Sequence, residues 1–190
     1  MTQLKHEERV RVQAAETAAE ARTRARLVIV TMPVSDRYAI FPSFYGGIAA
    51  IAVLAGLALF APAVPLRTAF FIGAVIFAAA SFLLDWLPLR LACVPRHIKH
   101  AHARQMAHHA FAARVLAQTE RKPGIAFFVS LGERYVEVVT DRDVDLKVPQ
   151  SVWDGIVAEF TKAAKQDRVC DGLLAAIESC TKVLEQHYPV

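Results

Sequence analysis

Between Arg37 and Arg67 the chain runs for 29 consecutive residues without a charged side chain, and between Arg67 and Asp85 for another 17. Each run approaches or exceeds the roughly 20 residues that an α-helix needs to cross the hydrocarbon of a bilayer. The chain of 190 residues is 55% hydrophobic yet 21% charged, so its apolar residues are gathered rather than spread. That pattern excludes both a disordered chain and an ordinary single soluble core. A cleaved leader is excluded by position, because 37 charged, helix-like residues precede the first run. Residues 38–88 therefore read as a transmembrane hairpin, with spans at about 39–61 and 68–87 joined by Pro62-Ala63-Val64-Pro65-Leu66-Arg67. Tyr38, Phe41, Phe44 and Tyr45 stand at one end of the hairpin and Trp86 at the matching end of the return helix, where aromatic rings prefer the headgroup zone.

Lys and Arg counts orient the hairpin. The connecting turn holds only Arg67, whereas residues 1–37 hold seven basic residues and residues 85–122 another seven. The positive-inside bias then puts both termini in the cytoplasm, and the expected location is the bacterial cytoplasmic (inner) membrane. Residues 123–190 reverse the balance with seven basic against eleven acidic residues. A basic collar next to the membrane accounts for the pI of about 9.1. Nucleic-acid binding is not expected, since aromatic and basic residues are not interleaved. Three cysteines, Cys93, Cys170 and Cys180, form no CxxC or zinc pattern and face a reducing compartment on this topology.

The soluble segments give alternating helix and strand signals. Residues 4–22 have small apolar positions at Val10, Ala14, Thr17, Ala18 and Ala21, a helical spacing, followed by the buried-strand run Leu27 to Met32. After Pro88 and Pro95, residues 97–118 form a basic, alanine-rich helix that Pro123-Gly124 ends. Ile125 to Leu131 and Tyr135 to Thr140 are strands around the turn Gly132-Glu133-Arg134. Ser151 with Asp154 fits a capping box, opening a helix with Val152, Ile156, Phe160 and Ala163 on one face. The last helix carries Val169, Leu173, Ile177, Cys180 and Leu184, with Cys180 a buried thiol. One helix and one strand cannot bury their own faces, so residues 1–37 and 95–190 are expected to form a single domain, split by the hairpin. The expected fold is α/β, a small α/β/α sandwich with a sheet of three or four strands.

Thr23-Arg24-Ala25-Arg26-Leu27-Val28-Ile29-Val30, the stretch from Thr119 through Lys122-Pro123-Gly124 to Gly132-Glu133-Arg134, Glu137-Val138-Val139-Thr140-Asp141, Trp153 and the closing Leu184-Glu185-Gln186-His187-Tyr188-Pro189 resemble the TPM domain family, in particular its bacterial membrane branch with two spans interrupting the domain. The resemblance implies an α/β/α sandwich. It also implies a role in membrane-complex repair and assembly, with phosphatase activity in some relatives and calcium binding in others. Two positions depart from the family pattern: Arg26 replaces the acid of Thr-x-Ala-Glu, and Gly132-Glu133 supplies one acid where many members have two. Both departures remove oxygen ligands.

Asp141-Arg142-Asp143-Val144-Asp145 could ligate calcium or magnesium through hard oxygens, and with Glu133 the candidate metal ligands are Glu133, Asp141 and Asp143. The simpler reading is a solvated loop, because an EF-hand would need Gly where Leu146 stands and Glu where Val152 stands. His97, His100, His102, His108 and His109 read as a solvated juxtamembrane helix, with metal or proton sensing as the alternative. Asp85, beside Trp86, suits the membrane interface. Gly46/Ala50, Ala52/Gly56 and Ala69/Gly73 have the small-xxx-small spacing that packs a hairpin and can also make a homo-oligomer. Trp153 and Tyr135 read as core or groove aromatics. Ser130 lacks the glycine of a nucleophile elbow, and there is no phosphate loop.

The expected function is a non-enzymatic, membrane-anchored factor that binds a membrane or cytoplasmic protein in membrane-complex assembly or quality control. The alternative is a phosphatase-like enzyme using a divalent metal at the acidic loop. No catalytic residue is assigned.

Overall fold

The computed structural model describes residues 5–35, 38, 40–86, 94–117 and 122–190. Expectations that fall on Arg37, Ala39, Leu87, Pro88, Arg90, Cys93 and the stretch Gln118 to Arg121 lie outside the described residues. The chain divides into two compact units, residues 1–35 with 100–190, and residues 36–99.

The first unit is built on a three-stranded sheet in the order β1 (Arg26–Met32), β2 (Gly124–Ser130), β3 (Tyr135–Thr140). β1 and β2 run parallel over seven residue pairs, from Arg26 opposite Gly124 to Met32 opposite Ser130. β3 returns antiparallel, with Ser130 opposite Tyr135 and Ile125 opposite Thr140. Every residue of β2 is buried, as expected of a central strand that is apolar on both faces.

Strand alternation divides the core in two. Leu27, Ile29, Ile125, Phe127, Val129 and Val138 face one way, toward α1 (His6–Arg22) and the last two helices of the chain. Val28, Val30, Ala126, Phe128 and Val139 face the other way, toward α4 (Arg96–Phe111) and a π-helical turn, Ala112–Leu116. The first layer is bulky, with the Phe127 and Phe160 rings edge to face at 5.5 Å. The second is built from Ala103, Ala107 and Ala126, all fully buried, so α4 lies close on the sheet. The result is the expected α/β/α sandwich, with two unequal helical layers.

A short helical turn, α5 (Arg142–Asp145), follows β3, and α6 (Gln150–Lys165) and α7 (Val169–His187) complete the unit. The expected capping box at Ser151 is corrected. Helix α6 starts two residues earlier, with Pro149 at its cap, and Asp154 accepts a hydrogen bond from Gln150 Nε2 at 3.1 Å. A proline ahead of the first turn sets the extended entry without needing a side-chain cap. At Gly172 a Cβ would lie 3.0 Å from the Ala163 Cβ, so glycine lets α7 cross α6 closely. Trp153 is fully buried, a core residue rather than part of a groove. Cys180 is fully buried too, and burial pushes its thiol up to about 12.

The inward face of α1 also differs from the sequence expectation. Val12 and Ala19 are buried while Val10 is exposed, and the inward stripe carries the carboxylate of Glu16. β1 is an edge strand, and its Ile29 amide donates to Glu16 Oε1 at 3.0 Å. An alanine-rich helix has little amphipathicity to set its rotation, so this edge contact decides it.

In the second unit, α2 (Ile40–Phe60) and α3 (Leu66–Leu84) pack on each other along their length. At Gly46 a Cβ would stand 3.2 Å from the Phe77 carbonyl oxygen, and Gly46 and Ala50 are both buried there. Of the small-residue pairs, Gly46/Ala50 and Gly73 thus serve the hairpin, whereas Gly56 faces open space. Both helices are long and apolar enough to cross a membrane. At 1.5 Å per residue they measure roughly 30 Å each, the thickness of a bilayer's hydrocarbon.

Two predictions follow from the sheet. A chain starting at residue 95 lacks α1 and β1, leaving β2 unpaired along one side. It should show no cooperative thermal transition by circular dichroism, and a full transition at the wild-type midpoint would make β1 dispensable. Burial raises the Glu16 carboxyl above its ordinary 4.5 despite the Ile29 hydrogen bond that lowers it. Its folded state therefore favours the protonated form, a stabilisation that is full below pH 4.5 and lost as pH rises through the folded value. Glu16→Gln keeps the acceptor without the charge. It should raise the thermal midpoint at neutral pH and leave it unchanged in acid.

Candidate functional site

Polar side chains gather at the two ends of the sheet. At the end where β1 and β2 finish, Glu133 occupies the β2–β3 turn, and its side chain is turned inward, 5% exposed. The Ser35 amide donates to Glu133 Oε1 at 2.8 Å, and the Ser130 hydroxyl donates to Oε2. Two backbone bonds reinforce the junction, Leu131 N to Met32 O at 3.0 Å and Gly132 N to Pro33 O at 2.8 Å. Arg134 takes a left-handed backbone, φ 53°, which closes the turn. Glu133 thus ties the segment after β1 to the hairpin, a charge-assisted contact that replaces water around a buried carboxylate.

The opposite end holds the acidic loop and the C-terminal tail. The Asp141 amide donates to the Gly124 carbonyl at 2.9 Å, and the Asp141 carboxylate accepts from the Arg142 amide at 2.7 Å, capping α5. Thr140 donates its hydroxyl to Asp145. Tyr188 donates its hydroxyl to the Asp143 carbonyl at 2.7 Å, while the Lys147 ammonium sits 4.2 Å from the Tyr188 ring centroid. Burial, then the nearby Asp143 and Asp141, push the Tyr188 phenol above its usual value. Thr23 and Arg24 hold the same tail, since the Thr23 hydroxyl and the Arg24 amide both donate to the Tyr188 carbonyl, at 2.9 and 3.0 Å. An open hollow of about 420 Å³ lies here, lined by Arg24, Pro123, Asp143, Leu146, Lys147 and Tyr188.

The three expected metal ligands are therefore not brought together. Asp141 and Asp143 stand at one end of β3 and Glu133 at the other, and six extended residues place the ends roughly 17 Å apart. Calcium needs six to eight oxygens within about 2.6 Å. Among the described residues, no three His, Cys, Asp or Glu side chains converge to hold a metal. The acidic stretch is a capped helical turn, not a free loop. Its spacing in sequence did not disclose that Glu133 would turn inward, because a turn glutamate normally faces water. Tyr188, Lys147 and Arg24 carried no motif of their own.

The histidines of α4 are partly accounted for. The His100 ring lies 5.3 Å from the Tyr135 ring, and Tyr135 donates to Glu137 Oε2 at 2.9 Å. Arg104 Nε approaches the other Glu137 oxygen at 3.7 Å. Burial and the bond to Glu137 raise the Tyr135 phenol well above its usual value. Across the unit, Arg22 pairs with Glu178 at 2.9 Å and Glu185 at 2.6 Å, joining α1 to α7.

A three-stranded α/β/α sandwich with a parallel β1–β2 pair, an inward turn glutamate and a tail docked beside the acidic turn defines the class of domain. The sequence profile of the TPM domain matches residues 88–183, and the chain belongs to the TPM domain family. The fold is also that of the BA42 protein of the psychrophilic bacterium Bizionia argentinensis, solved by NMR. The TM-score is 0.58 at 13% identity, over 99% of this chain and 86% of that one. No curated protein matches the chain in sequence. The profile match begins after α1 and β1, so the strand that completes the sheet lies outside it.

Glu133→Ala should destabilise the domain by about 2 kcal/mol, since it strands a buried hydroxyl and amide. Asp141→Asn should cost under about 1 kcal/mol at its half-exposed cap. In calorimetric titration with calcium the two substitutions should not lower any binding together. A shared loss would require both ends of β3 to serve one ion.

Proposed function

We propose that the protein is a two-pass membrane protein that holds a TPM domain on the cytoplasmic side of the bacterial inner membrane, where the domain binds a protein partner in membrane-complex assembly or quality control. The observation that carries this reading is the surface of α2 and α3. Ile40, Ile51, Phe60, Phe70, Val75 and Phe82 are all exposed there, on two helices without a charge except Arg67. Soluble proteins rarely leave so large a contiguous apolar surface to water, and lipid is the solvent that suits it. Each helix satisfies its own backbone, and a pair of them returns the chain to the side it left. Because β1 precedes the pair and β2 follows it, a single domain on one side accommodates both.

A binding role is favoured over an enzymatic one by the separation of the acids. Glu133 is engaged within the domain, and Asp141 is engaged as a cap. The role in membrane-complex repair and assembly that the family resemblance implies is the reason for naming a protein partner. An uncovered Gly56 leaves room for a second copy of the hairpin.

Topology is tested by cysteine labelling in a Cys93→Ser background, with Ala63→Cys in the turn between α2 and α3 and Glu159→Cys on the exposed side of α6. Native Cys170 and Cys180 are buried and make poor reporters. An impermeant maleimide should label the first site in intact cells and the second only after permeabilisation. Labelling of Glu159→Cys in sealed cells would reverse the orientation. Phosphate-ester turnover by the purified protein that disappears in Asp141→Asn would replace the binding role with an enzymatic one.

A further inference from the structure

The sheet has two open edges, and the chain treats them differently. On β1 the Ile29 amide is answered by Glu16 from within the domain. On β3 the Asp141 amide bonds to the Gly124 carbonyl, and backbone polarity along a strand alternates with period two. The amides and carbonyls of Val136, Val138 and Thr140 therefore point to the open side, where no described segment pairs with them. Soluble domains usually blunt such an edge with lysine, proline or a bulge. Tyr135–Thr140 has no Lys or Pro and keeps an unbroken register with β2, and its one charge, Glu137, is held by Tyr135 and Arg104.

A hollow of about 370 Å³ lies between the β2–β3 hairpin and the C-terminal end of α6. Val136 lines it and also turns its backbone to the open side, so hollow and edge meet at one residue. Leu131, Phe160 and Ala164 give it an apolar wall. Arg134, Lys165 and Asp167 line it too, all exposed, and among the described residues none of their side chains has an ion pair or hydrogen bond. Arg134 and Asp167 hold left-handed backbones, φ 53° and 60°, which glycine would adopt at lower cost. Two cations and one carboxylate leave the hollow with a single net positive charge, the complement of a monocarboxylate.

We propose that β3 takes up the C-terminal segment of a partner polypeptide as an added antiparallel strand, with the terminal carboxylate at Arg134 and Lys165 and an apolar side chain in the hollow. The inference rests on the partner-binding reading above and names the part of the partner that is recognised. A strand antiparallel to β3 runs from Thr140 toward Tyr135, so its C-terminus arrives at the two cations. Main-chain hydrogen bonds supply the attachment and the hollow supplies the selectivity, as in other strand additions at a sheet edge. The volume is at the small end of the roughly 300–1,000 Å³ of ligand sites, and admits a side chain with its carboxylate rather than a folded surface. A free amphiphilic acid would fill the hollow and leave the outward amides of Val136 and Val138 unpaired. The polypeptide end is the occupant that uses both features.

The test uses the full-length protein in detergent micelles and a pool of short peptides with randomised C-terminal positions and free carboxylates, with empty micelles as the control. Peptides ending in an apolar residue should be enriched. The strongest, measured by fluorescence anisotropy, should lose at least about tenfold in affinity when its C-terminus is amidated, and by a similar factor against Arg134→Gln with Lys165→Gln. Both side chains are exposed, so the thermal midpoint of that variant should stay at the wild-type value. N-methylation of alternate peptide amides should abolish binding in one register and spare it in the other, as a ladder of period two requires. No enrichment over empty micelles, equal affinity of acid and amide, or indifference to the N-methyl register would each overturn the proposal. Octanoate binding as tightly as the peptide would give the hollow to a small acid and overturn the added strand. All of these leave a partner elsewhere on the domain standing. The partner-binding reading fails by a different result, phosphate-ester turnover lost in Asp141→Asn at the other end of β3, whatever the peptides do.

Discussion

The parallel pairing of β1 with β2 is the constraint on which the fold of the α/β unit depends. β2 is buried along all seven residues, and that requires a neighbour on each side. β3 is supplied locally by a four-residue turn, whereas β1 comes from the far side of the two apolar helices. The remaining contacts reinforce this union. Glu133 grips the end of β1, Thr23 and Arg24 join its start to the tail at Tyr188, and Glu16 answers an amide on its open edge. Arg22 then locks α1 to α7.

An interruption of this kind is tolerated because loop closure grows only logarithmically with length, by about 0.6 kcal/mol per doubling. A parallel pair needs a long crossover in any case. Here α4, which covers one sheet face, is the part of the crossover that packs, and α2 and α3 are the part that does not belong to the domain core. The alanines of α4 keep it close to Ala126 and Phe128, and its outer side is left to histidine and arginine.

Family membership and local geometry meet at the ends of β3. The domain keeps the fold of BA42 at low identity, yet its acids are used in structure. Glu133 is inside, Asp141 caps a turn, and Arg26 stands where the family pattern has an acid, 3.6 Å from Glu20. A hollow of mixed charge also stands open at the surface beside Tyr188.

The amino-acid sequence by itself determined the two apolar helices, the strand runs and the inward stripes of α6 and α7, because each depends on spacing along one segment. Val169, Leu173, Ile177, Cys180 and Leu184 are buried as their periodicity requires. Only the tertiary structure decided the rotation of α1, where Val10 turned out and Glu16 turned in, and the start of α6 before Ser151. It also decided that Glu133 and Asp141, eight positions apart, stand at opposite ends of a strand. Those outcomes depend on which partner a side chain meets across the sheet. A glutamate near a strand edge gains a backbone amide, and one in a turn gains a serine hydroxyl, only after distant segments have been brought together.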